Sequence, residues 1–360
     1  MRQQSMTFRQ QETQYVIDRW MASESCSLVG VGSVGKSNLL RHLADPHVHA
    51  HFGDASRKLK TIILDPYLLG PLPEQPDAQF RMWSAYELMM HRLYLAFYPF
   101  TDFGKDASIF YDAYQALQDG TNPLFAYMGI RYFELGLQYL LNSGYQVVFM
   151  FDEFDAWLKL MPVAYFQSLR GLRDNYKSQL MYLTFTRKPL LTVMQEESDS
   201  LRDLEPFYEL LVDNTLYVGP YSVDDARSML QRLAKRHQIR LTEHVEQFLL
   251  AASGHHAGLM RAAFKASDIL DNLPLNYDHW KAVAALSSLP NVRTEVNVIL
   301  ESLAPNEVQA LTAIVNGQPI DTAPQLISVL VEKGLVATDP STRQLRILPE
   351  VLVPILRQRN

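Results

Sequence analysis

The sequence predicts an α/β fold: a parallel β-sheet core, then a helical region and a small C-terminal domain. Two observations support this prediction. In residues 1–221, short apolar runs typical of buried strands alternate with longer segments of helical periodicity. From residue 222 the pattern is helical, until two short strand-like runs near the C-terminus. Because strands that alternate with helices form parallel sheets, we expect helices on both faces of the core.

Five apolar runs are the predicted strands of this core. They are rich in β-branched and aromatic residues and do not alternate with polar ones, as in strands buried on both faces. In chain order they are Cys26–Val29 and residues 61–65, 147–151, 180–187 and 215–218. The predicted helices between them are residues 12–20, 38–43, 79–98 and 123–141. In such sheets the ligand lies at the carboxyl ends of the strands.

The segment after the first strand has the spacing of a phosphate-binding loop. It contains a glycine, four variable residues and then Gly-Lys-Ser. Glycines let successive backbone N–H groups approach a polyphosphate, and the start of the next helix adds further donors. Lys36 is expected to contact the β- and γ-phosphates, and the Ser37 hydroxyl to bind Mg²⁺. The predicted nucleotide-binding residues are Gly30, Val31, Gly32, Ser33, Val34, Gly35, Lys36, Ser37 and Asn38.

Two adjacent carboxylates follow the strand predicted at residues 147–151. Asp152 is expected to hold Mg²⁺, directly or through water, and Glu153 to orient or activate the attacking water. The alternative is a strand that merely ends in acidic residues, and the phosphate loop upstream argues against it. Asp155 is interpreted as a charge at a helix N-terminus rather than as a third ligand.

The strand predicted at residues 180–187 also ends in polar side chains. A polar residue at the tip of the strand beside the acidic one can contact the γ-phosphate or its water. Thr186 and Arg187 are the candidates for this role. The sequence leaves open the alternative that this strand end simply meets solvent.

Composition restricts the class of protein. A chain of 360 residues has room for two or three domains, and 48% hydrophobic and 20% charged residues are ordinary globular values. The net charge of −6 argues against a protein that coats nucleic acid through bulk charge. The single cysteine excludes an intrachain disulfide and suits a cytoplasmic location. No segment approaches the ~20 apolar residues of a membrane span, so no membrane partner is expected.

The C-terminal part of the chain predicts two further domains. A helix-start signature at Ser222 precedes four predicted helices, at residues 224–237, 242–253, 258–272 and 278–287. The tail predicts a helix from Asn306, a turn at Asn316 and Gly317, and a second helix at residues 323–333. Two strands follow, at residues 335–338 and 344–348, with a turn at 339–341 between them. This order is that of a winged helix-turn-helix. The predicted domains are therefore residues 1–221, 222–290 and 291–360.

The order of phosphate loop, Asp152-Glu153 pair, polar strand tip, helical bundle and winged helix is that of a known group. The chain resembles the AAA+-related ATPases of the STAND and archaeal-type group, neighbours of the origin-recognition ATPases. The resemblance implies a P-loop NTPase core, a helical lid and a winged helix, with ATP or ADP and Mg²⁺ bound between core and lid. It also implies that residues 183–187 form the sensor-1 strand and tip.

Residues 254–261 resemble the lid motif of this group, in which Gly-His-Pro-Gly is usual. Ala257 stands in the place of the proline, which puts the usual contact to adenine in doubt. The resemblance places Arg261 near the sensor-2 position, where an arginine contacts the γ-phosphate; a surface arginine is the alternative. Arg202, Arg170 and Arg173 are candidates for an arginine finger, and the sequence does not choose among them.

Several other side-chain patterns have a structural and a functional interpretation. His47, His49 and His51 would share one face of a strand, but a solvated loop is the preferred interpretation over a metal site. The basic residues 232, 235, 236 and 240 are interpreted as a solvated face rather than a nucleic-acid contact. The aromatic and methionine residues between 80 and 103 are interpreted as core, with a partner-binding surface as the alternative.

Three functions follow from these predictions. The first is a slow, ATP-hydrolysing molecular switch that changes conformation and self-associates through its lid and winged helix, or binds a protein partner there. The alternative is a DNA-associated ATPase of the origin-binding or transposition-regulator type. The predicted recognition helix carries a single basic residue, which disfavours DNA as partner of the winged helix. The third is a scaffold that keeps ATP as a structural ligand.

Overall fold

A computed structural model describes residues 4–70, 77–119, 124–197, 201–266, 273–319, 324–339 and 343–358. By their contacts these residues divide into two compact units. The first comprises Met1–Val29 and Ser37–Leu216, and the second comprises Gly30–Lys36 and Tyr217–Asn360. Parts of the predicted helix at 258–272, of the recognition helix and of the turn at 339–341 lie outside the described residues.

The first unit contains the predicted five-stranded sheet. The strand order is β2-β3-β4-β1-β5, and the pairs β2–β3, β3–β4 and β4–β1 are parallel. The strands β1 to β5 span Cys26–Val29, Lys58–Leu64, Tyr145–Phe151, Leu180–Thr186 and Thr215–Tyr217. Every residue of β4 is buried, as is β3 from Val147 onwards, so both faces of the central strands are covered. This arrangement confirms the predicted parallel sheet.

Ten α-helices of the first unit are described. The helices α1 to α10 span Gln10–Met21, Lys36–Leu43, Pro46–Phe52, Ala78–Phe97, Ser108–Gln118, Phe125–Asn142, Phe154–Leu160, Val163–Asn175, Leu190–Glu197 and Leu201–Tyr208. Helix α6 packs on both α4 and α5. Tyr86, Met89, Met90 and Phe100 are buried among these helices and the sheet, which favours the interpretation of this aromatic segment as core. Tyr98 is exposed.

The histidine-containing segment differs from the prediction. It is not a solvated loop but helix α3, whose first turn is stabilised by the Asp45 carboxylate accepting the backbone N–H of His47 at 2.9 Å. Pro46 occupies the first helical position, where its missing N–H has no cost. His49 is buried, and its Nε2 lies 2.6 Å from the carbonyl oxygen of Leu43. No group of His, Cys, Asp or Glu able to hold a metal ion occurs among the described residues.

The second unit is helical except for a short hairpin. Its described helices α11 to α18 span Val223–His237, Glu243–Ser253, Ala257–Phe264, His279–Ser288, Pro290–Glu301, Pro305–Asn316, Pro324–Glu332 and Leu352–Arg357. The strands β6 and β7 span Val336–Thr338 and Leu345–Ile347 and pair antiparallel. The order of α16, α17 and the hairpin is the predicted one. Helix α15 occupies a stretch for which the sequence had predicted no element.

Polar contacts join the early and late helices of the second unit. His279 Nε2 lies 2.7 Å from the Glu350 carboxylate, and the backbone N–H of Val351 donates to the carbonyl oxygen of Ala252 at 3.1 Å. The Lys333 ammonium is buried against the Glu307 carboxylate. The helical region and the C-terminal hairpin therefore form one packed body. No helix among the described residues is long and apolar enough to cross a membrane.

Candidate functional site

Three strands of the first unit end at the same edge of the sheet. The neighbouring parallel strands β3, β4 and β1 end at Phe151, Thr186 and Val29, and Val29 is the direct partner of Thr186. This edge therefore carries Asp152 and Glu153, which follow β3, and Thr186 and Arg187 at the tip of β4. The polar residues that the sequence singled out in the first unit are grouped as expected from parallel strands.

Thr186 is a buried polar residue with an unused hydroxyl. Its side chain is fully buried, and its Oγ1 has no hydrogen-bond partner among the described residues. Thr184, on the same strand, donates from its Oγ1 to Ser27 Oγ at 3.0 Å. A buried hydroxyl without a partner costs about 1–3 kcal/mol, so its persistence calls for an explanation such as a ligand or water. A phosphate oxygen or an attacking water fits this orphaned donor.

Glu153 and Arg187 form an ion pair that the sequence had not predicted. An Arg187 guanidinium N–H donates to the Glu153 carboxylate at 2.8 Å, with the side chains 40% and 28% exposed. The Arg187 backbone N–H donates to the Asp155 carboxylate at 3.2 Å. Asp155 lies in the first turn of α7, as expected, but it also positions the tip of β4. The only signal for this pairing in the sequence is that Glu153 follows one predicted strand and Arg187 lies at the end of the next one along the chain.

The backbone of Glu153 adopts the left-handed conformation, with φ 45° and ψ 52°. Its N–H donates to the Asp152 carboxylate at 2.9 Å, which fixes the turn between β3 and α7. A non-glycine residue in this conformation costs of the order of 1 kcal/mol, and such residues cluster at functional sites. Because of this turn, the Asp152 carboxylate accepts the Glu153 N–H, whereas the Glu153 carboxylate accepts from Arg187.

The phosphate loop, residues Gly30–Lys36, belongs to the second unit by its contacts. Ser33 and Gly35 have positive φ, of 65° and 99°. Residues of alternating handedness turn successive N–H groups to one side and form an anion-binding concavity. The side chain of Lys36 is buried and donates to the carbonyl oxygen of Gly30 at 2.8 Å. A Cβ on Gly35 would lie 2.7 Å from the Tyr221 hydroxyl, so this position requires glycine.

The residues expected to bind Mg²⁺ have suitable chemistry. Ser37 is an exposed hydroxyl in the first turn of α2, and Asp152 is a carboxylate at the edge of the same sheet. Mg²⁺ is usually held by one or two carboxylates together with phosphate oxygens and water. A full set of protein ligands is therefore not needed. Asn38, also predicted to contact nucleotide, accepts from Arg41 at 3.3 Å.

Residues 254–261, which resemble the lid motif in sequence, pack within the second unit. His256 is buried, with its Nε2 3.3 Å from the carbonyl oxygen of Gly334, and Ala257 begins α13. His255 lies with its Nδ1 3.2 Å from the carbonyl oxygen of Tyr221, and burial lowers its pKa below 6.5. Both histidines therefore have structural contacts. Arg261 is an exposed residue in the last turn of α13.

The other basic residues singled out in the sequence have varied surroundings. The Arg170 guanidinium donates to the Asp174 carboxylate at 2.8 Å, and that of Arg173 to the carbonyl oxygen of Ser23 at 2.6 Å. Arg202 is exposed. The basic stretch on and after α11 is exposed as predicted, at residues 232, 235, 236 and 240. Of the three arginine-finger candidates, Arg170 and Arg173 are thus engaged within their own unit.

Comparison with solved structures finds similar proteins at low sequence identity. A Walker-type ATPase of Pyrococcus abyssi has a TM-score of 0.52 at 16% identity, over 97% of this chain and 95% of that chain. The ORC2 protein of Aeropyrum pernix, solved in ADPNP-ADP complexes, has a TM-score of 0.49 at 13% identity, over 97% and 93%. Cdc6p of Pyrobaculum aerophilum has a TM-score of 0.43 at 14% identity, over 97% and 93%.

The similarity to the Pyrococcus abyssi protein confirms the predicted fold class. The chain shares the fold of this Walker-type ATPase, a parallel α/β core followed by a helical C-terminal region. No protein-family model matches the sequence, and no curated protein matches it. Everything beyond the fold rests on the residues of this chain.

Proposed function

We propose that this protein binds ATP with Mg²⁺ and hydrolyses it slowly, as a molecular switch. The observation that carries the proposal is the phosphate loop itself, with Ser33 and Gly35 turned into an anion-binding concavity and Lys36 beside it. The Walker-type ATPase with the same fold supports it. Bound Mg²⁺ would neutralise charge on the phosphates, held by Ser37 and Asp152.

The roles of the remaining residues follow from their present partners. Lys36 would exchange the carbonyl oxygen of Gly30 for phosphate oxygens, and Thr186 would gain the partner that its hydroxyl lacks. Glu153 would orient the attacking water and accept its proton. While Arg187 is paired with Glu153, one oxygen of that carboxylate is engaged by the guanidinium. Transfer of the Arg187 guanidinium to the γ-phosphate would free Glu153, so that arrival of ATP prepares the base.

The further parts of the proposal concern the second unit. Residues 222–290 would serve as the lid, with Arg261 contacting the γ-phosphate, and residues 291–360 as a winged helix. These elements would change position with nucleotide state and expose a surface for self-association or for a protein partner. The cytoplasm is the proposed compartment, because the single cysteine, Cys26, is a buried apolar-type residue with no disulfide role.

The test measures Mg-ATP binding, phosphate release and particle size for wild type, Lys36→Ala and Glu153→Gln. Lys36→Ala should lose binding, since it removes the cation that contacts the phosphates. Glu153→Gln should bind but turn over about a hundredfold more slowly, and accumulate as the larger species with ATP. Glu205→Gln, an exposed acid of the same unit, is the matched control and should behave as wild type.

Two outcomes would change the assignment. Nucleotide binding without turnover in any protein, and without a change in particle size, would indicate a scaffold that keeps ATP as a structural ligand. Turnover that rises on adding duplex DNA, in a salt-sensitive manner, would indicate the DNA-associated class.

A further inference from the structure

The phosphate loop is hydrogen-bonded to a helix far along the chain. The backbone N–H of Gly32 donates to Ser302 Oγ at 2.8 Å, just after the end of α15. The Ser33 hydroxyl donates to the carboxylate of Glu295, on α15 itself. All these residues belong to the second unit. Helix α15 therefore holds the loop through both a backbone donor and a side-chain donor.

The contact with α15 is close as well as polar. A Cβ on Gly32 would lie 2.7 Å from the carbonyl oxygen of Val298, so the glycine permits direct approach of the helix backbone. Glu295, Val298 and Ser302 are spaced by three and four residues and lie on one face of the helix. The backbone N–H of Gly258 also donates to the carbonyl oxygen of Ser33, at 2.8 Å. The loop is thus enclosed by α13 and α15 at Gly32 and Ser33.

The negative charge of Glu295 lies beside a loop that is suited to bind anions. A concavity of backbone N–H groups and a buried lysine attracts anions, and Glu295 is an anion bonded to that loop by Ser33. Polyphosphate brought to the same few residues would be repelled by this carboxylate, since both charges would be only several ångströms apart and partly shielded from water. Glu295 is half-buried, which limits screening by solvent.

We propose that Glu295 is an acidic latch that competes with nucleotide phosphates for the phosphate loop. This inference rests on the proposed function, in that the loop must bind phosphate. Through the latch, α15 lowers the affinity for nucleotide. By linkage, bound nucleotide loosens α15 from the loop by the same factor. Nucleotide occupancy is thereby communicated to the C-terminal helices that follow α15, without any residue of α15 touching the bond that is cleaved.

The first measurement is the dissociation constant of Mg-ADP and Mg-ATP for wild type and Glu295→Gln. Glutamine can still accept the Ser33 hydroxyl hydrogen, so the fold is retained while the charge is removed. We expect Glu295→Gln to bind both nucleotides about tenfold more tightly. Glu301→Gln makes the same charge change at an exposed position of the same helix and should keep the wild-type affinity.

The second measurement is hydrogen exchange of residues 290–302 and of the Gly32 amide. Saturating Mg-ADP should speed exchange of α15 in wild type and in Glu301→Gln, because the latch is displaced. In Glu295→Gln the helix should already exchange faster before nucleotide is added. Ser302→Ala removes the acceptor of the Gly32 N–H and should also speed the exchange of α15. This variant replaces Glu295→Gln in the test if Glu295→Gln folds poorly.

The outcomes separate this inference from the proposed function. If wild type and Lys36→Ala both fail to bind nucleotide, the proposed function is wrong. If wild type binds but Glu295→Gln binds with equal or weaker affinity, and α15 exchange does not respond to nucleotide, the latch is wrong and nucleotide binding stands. If Glu301→Gln also bound nucleotide more tightly, the gain in affinity would come from the change in net charge alone, and the latch would be overturned.

Discussion

Two threonines of β4 differ by one hydrogen bond. Thr184 and Thr186 are both fully buried, but only Thr184 has a described partner, Ser27. Burying a hydroxyl is tolerated where a partner compensates its lost hydration, and is costly where none does. Thr184 thus has a partner that compensates the burial of its hydroxyl, and Thr186 has none among the described residues.

Thr186→Val should therefore reduce function without reducing stability. We expect ATP turnover to fall about tenfold or more, and the free energy of unfolding to stay constant or rise by about 1 kcal/mol, since an unsatisfied buried hydroxyl is removed. Turnover and urea denaturation measure the two effects.

The matched control for this substitution is Thr184→Val on the same strand. It should lower the free energy of unfolding by about 1–2 kcal/mol, because it leaves the Ser27 hydroxyl without its partner. Equal loss of stability in both variants would show that Thr186 is an ordinary core residue.

The candidate site residues could be named from the sequence, but the hydrogen bonds between them could not be predicted. The loop glycines, Lys36, Asp152 and Glu153 follow from local spacing, because each sits directly after an apolar run. The bond between Glu153 and Arg187 depends on which strands are neighbours, and the sequence does not specify strand order. The bonds of Gly32 and Ser33 to α15 join residues more than 260 positions apart, beyond any local pattern.

At the level of elements, helix α11 begins where its capping residue predicts. Ser222 accepts the backbone N–H of Asp225 at 3.1 Å, and Asp224 and Asp225 lie in the first turn, where the helix dipole favours acids. The structure confirms this helix from Val223 to His237, as the start signature indicated.

Replacing Ser222, the cap of α11, and Ser228, in the middle of that helix, should have different effects on the free energy of unfolding. Ser222→Ala should lower the free energy of unfolding by about 1 kcal/mol, because it removes the cap. Ser228→Ala, in the exposed middle of the same helix, should leave stability unchanged or raise it slightly, since alanine is the better helix former. Thermal denaturation of the two variants tests the prediction, and a loss of equal size in both would contradict it.

Helix α3 makes stability depend on pH through His49. Burial lowers the pKa of His49 below its ordinary 6.5, so the folded state keeps this side chain neutral where the unfolded chain takes up a proton. The free energy of unfolding should thus be highest above about pH 6.5 and fall as the pH drops below that value.

The His49 contribution is measured by urea denaturation between pH 7.5 and 5.5. His49→Gln should show a shallower decline over this range than wild type, although the half-buried His255, whose pKa is also lowered by burial, contributes as well. His47→Gln, at the start of the same helix, is the control and should reproduce the wild-type slope. Identical slopes in all three proteins would exclude His49 as a source of the pH dependence.

Helices α3 and α15 were not predicted, although the sequence contains signals for both. Helix α3 has Asp45 as its cap and Pro46 at its first position, and both are signals for the start of a helix. The three alternating histidines had nevertheless been interpreted as part of a loop. Helix α15 starts with Pro290 and places Val292, Val296 and Ile299 on one buried side, which is helical spacing. The sequence had predicted a domain boundary at residues 289–291 and no helix there. Helix α14 ends at Ser288, and α15 begins two residues later.

At the level of the whole molecule, the chain divides into two compact units by its contacts. The second unit contains a buried ion pair, Glu307 with Lys333, whose side chains are 6% and 1% exposed. Glu307 also accepts the backbone N–H of Ala304 at 2.8 Å. Breaking such a pair on one side leaves a charge buried without compensation, which costs about 3–5 kcal/mol.

Lys333→Met should accordingly destabilise the second unit selectively. Hydrogen exchange should show lost protection in α16, α17 and α18, while the amides of β3 and β4 in the first unit keep theirs. Lys281→Met, an exposed position on α14, should change stability by no more than about 0.5 kcal/mol. Uniform loss of protection across both units would mean that the chain unfolds as a single cooperative body.

The distance in sequence between Gly32 and Ser302 has a consequence for the order of events on the ribosome. The two residues are 270 positions apart. At about 5–20 residues per second, synthesis of the intervening chain takes roughly 15–50 s. For nearly all of that interval the nascent chain contains the phosphate loop without Glu295 and Ser302, which hydrogen-bond to it. If the loop binds nucleotide as proposed, a polypeptide still attached to the ribosome would meet nucleotide before its own acidic competitor, Glu295, has been made.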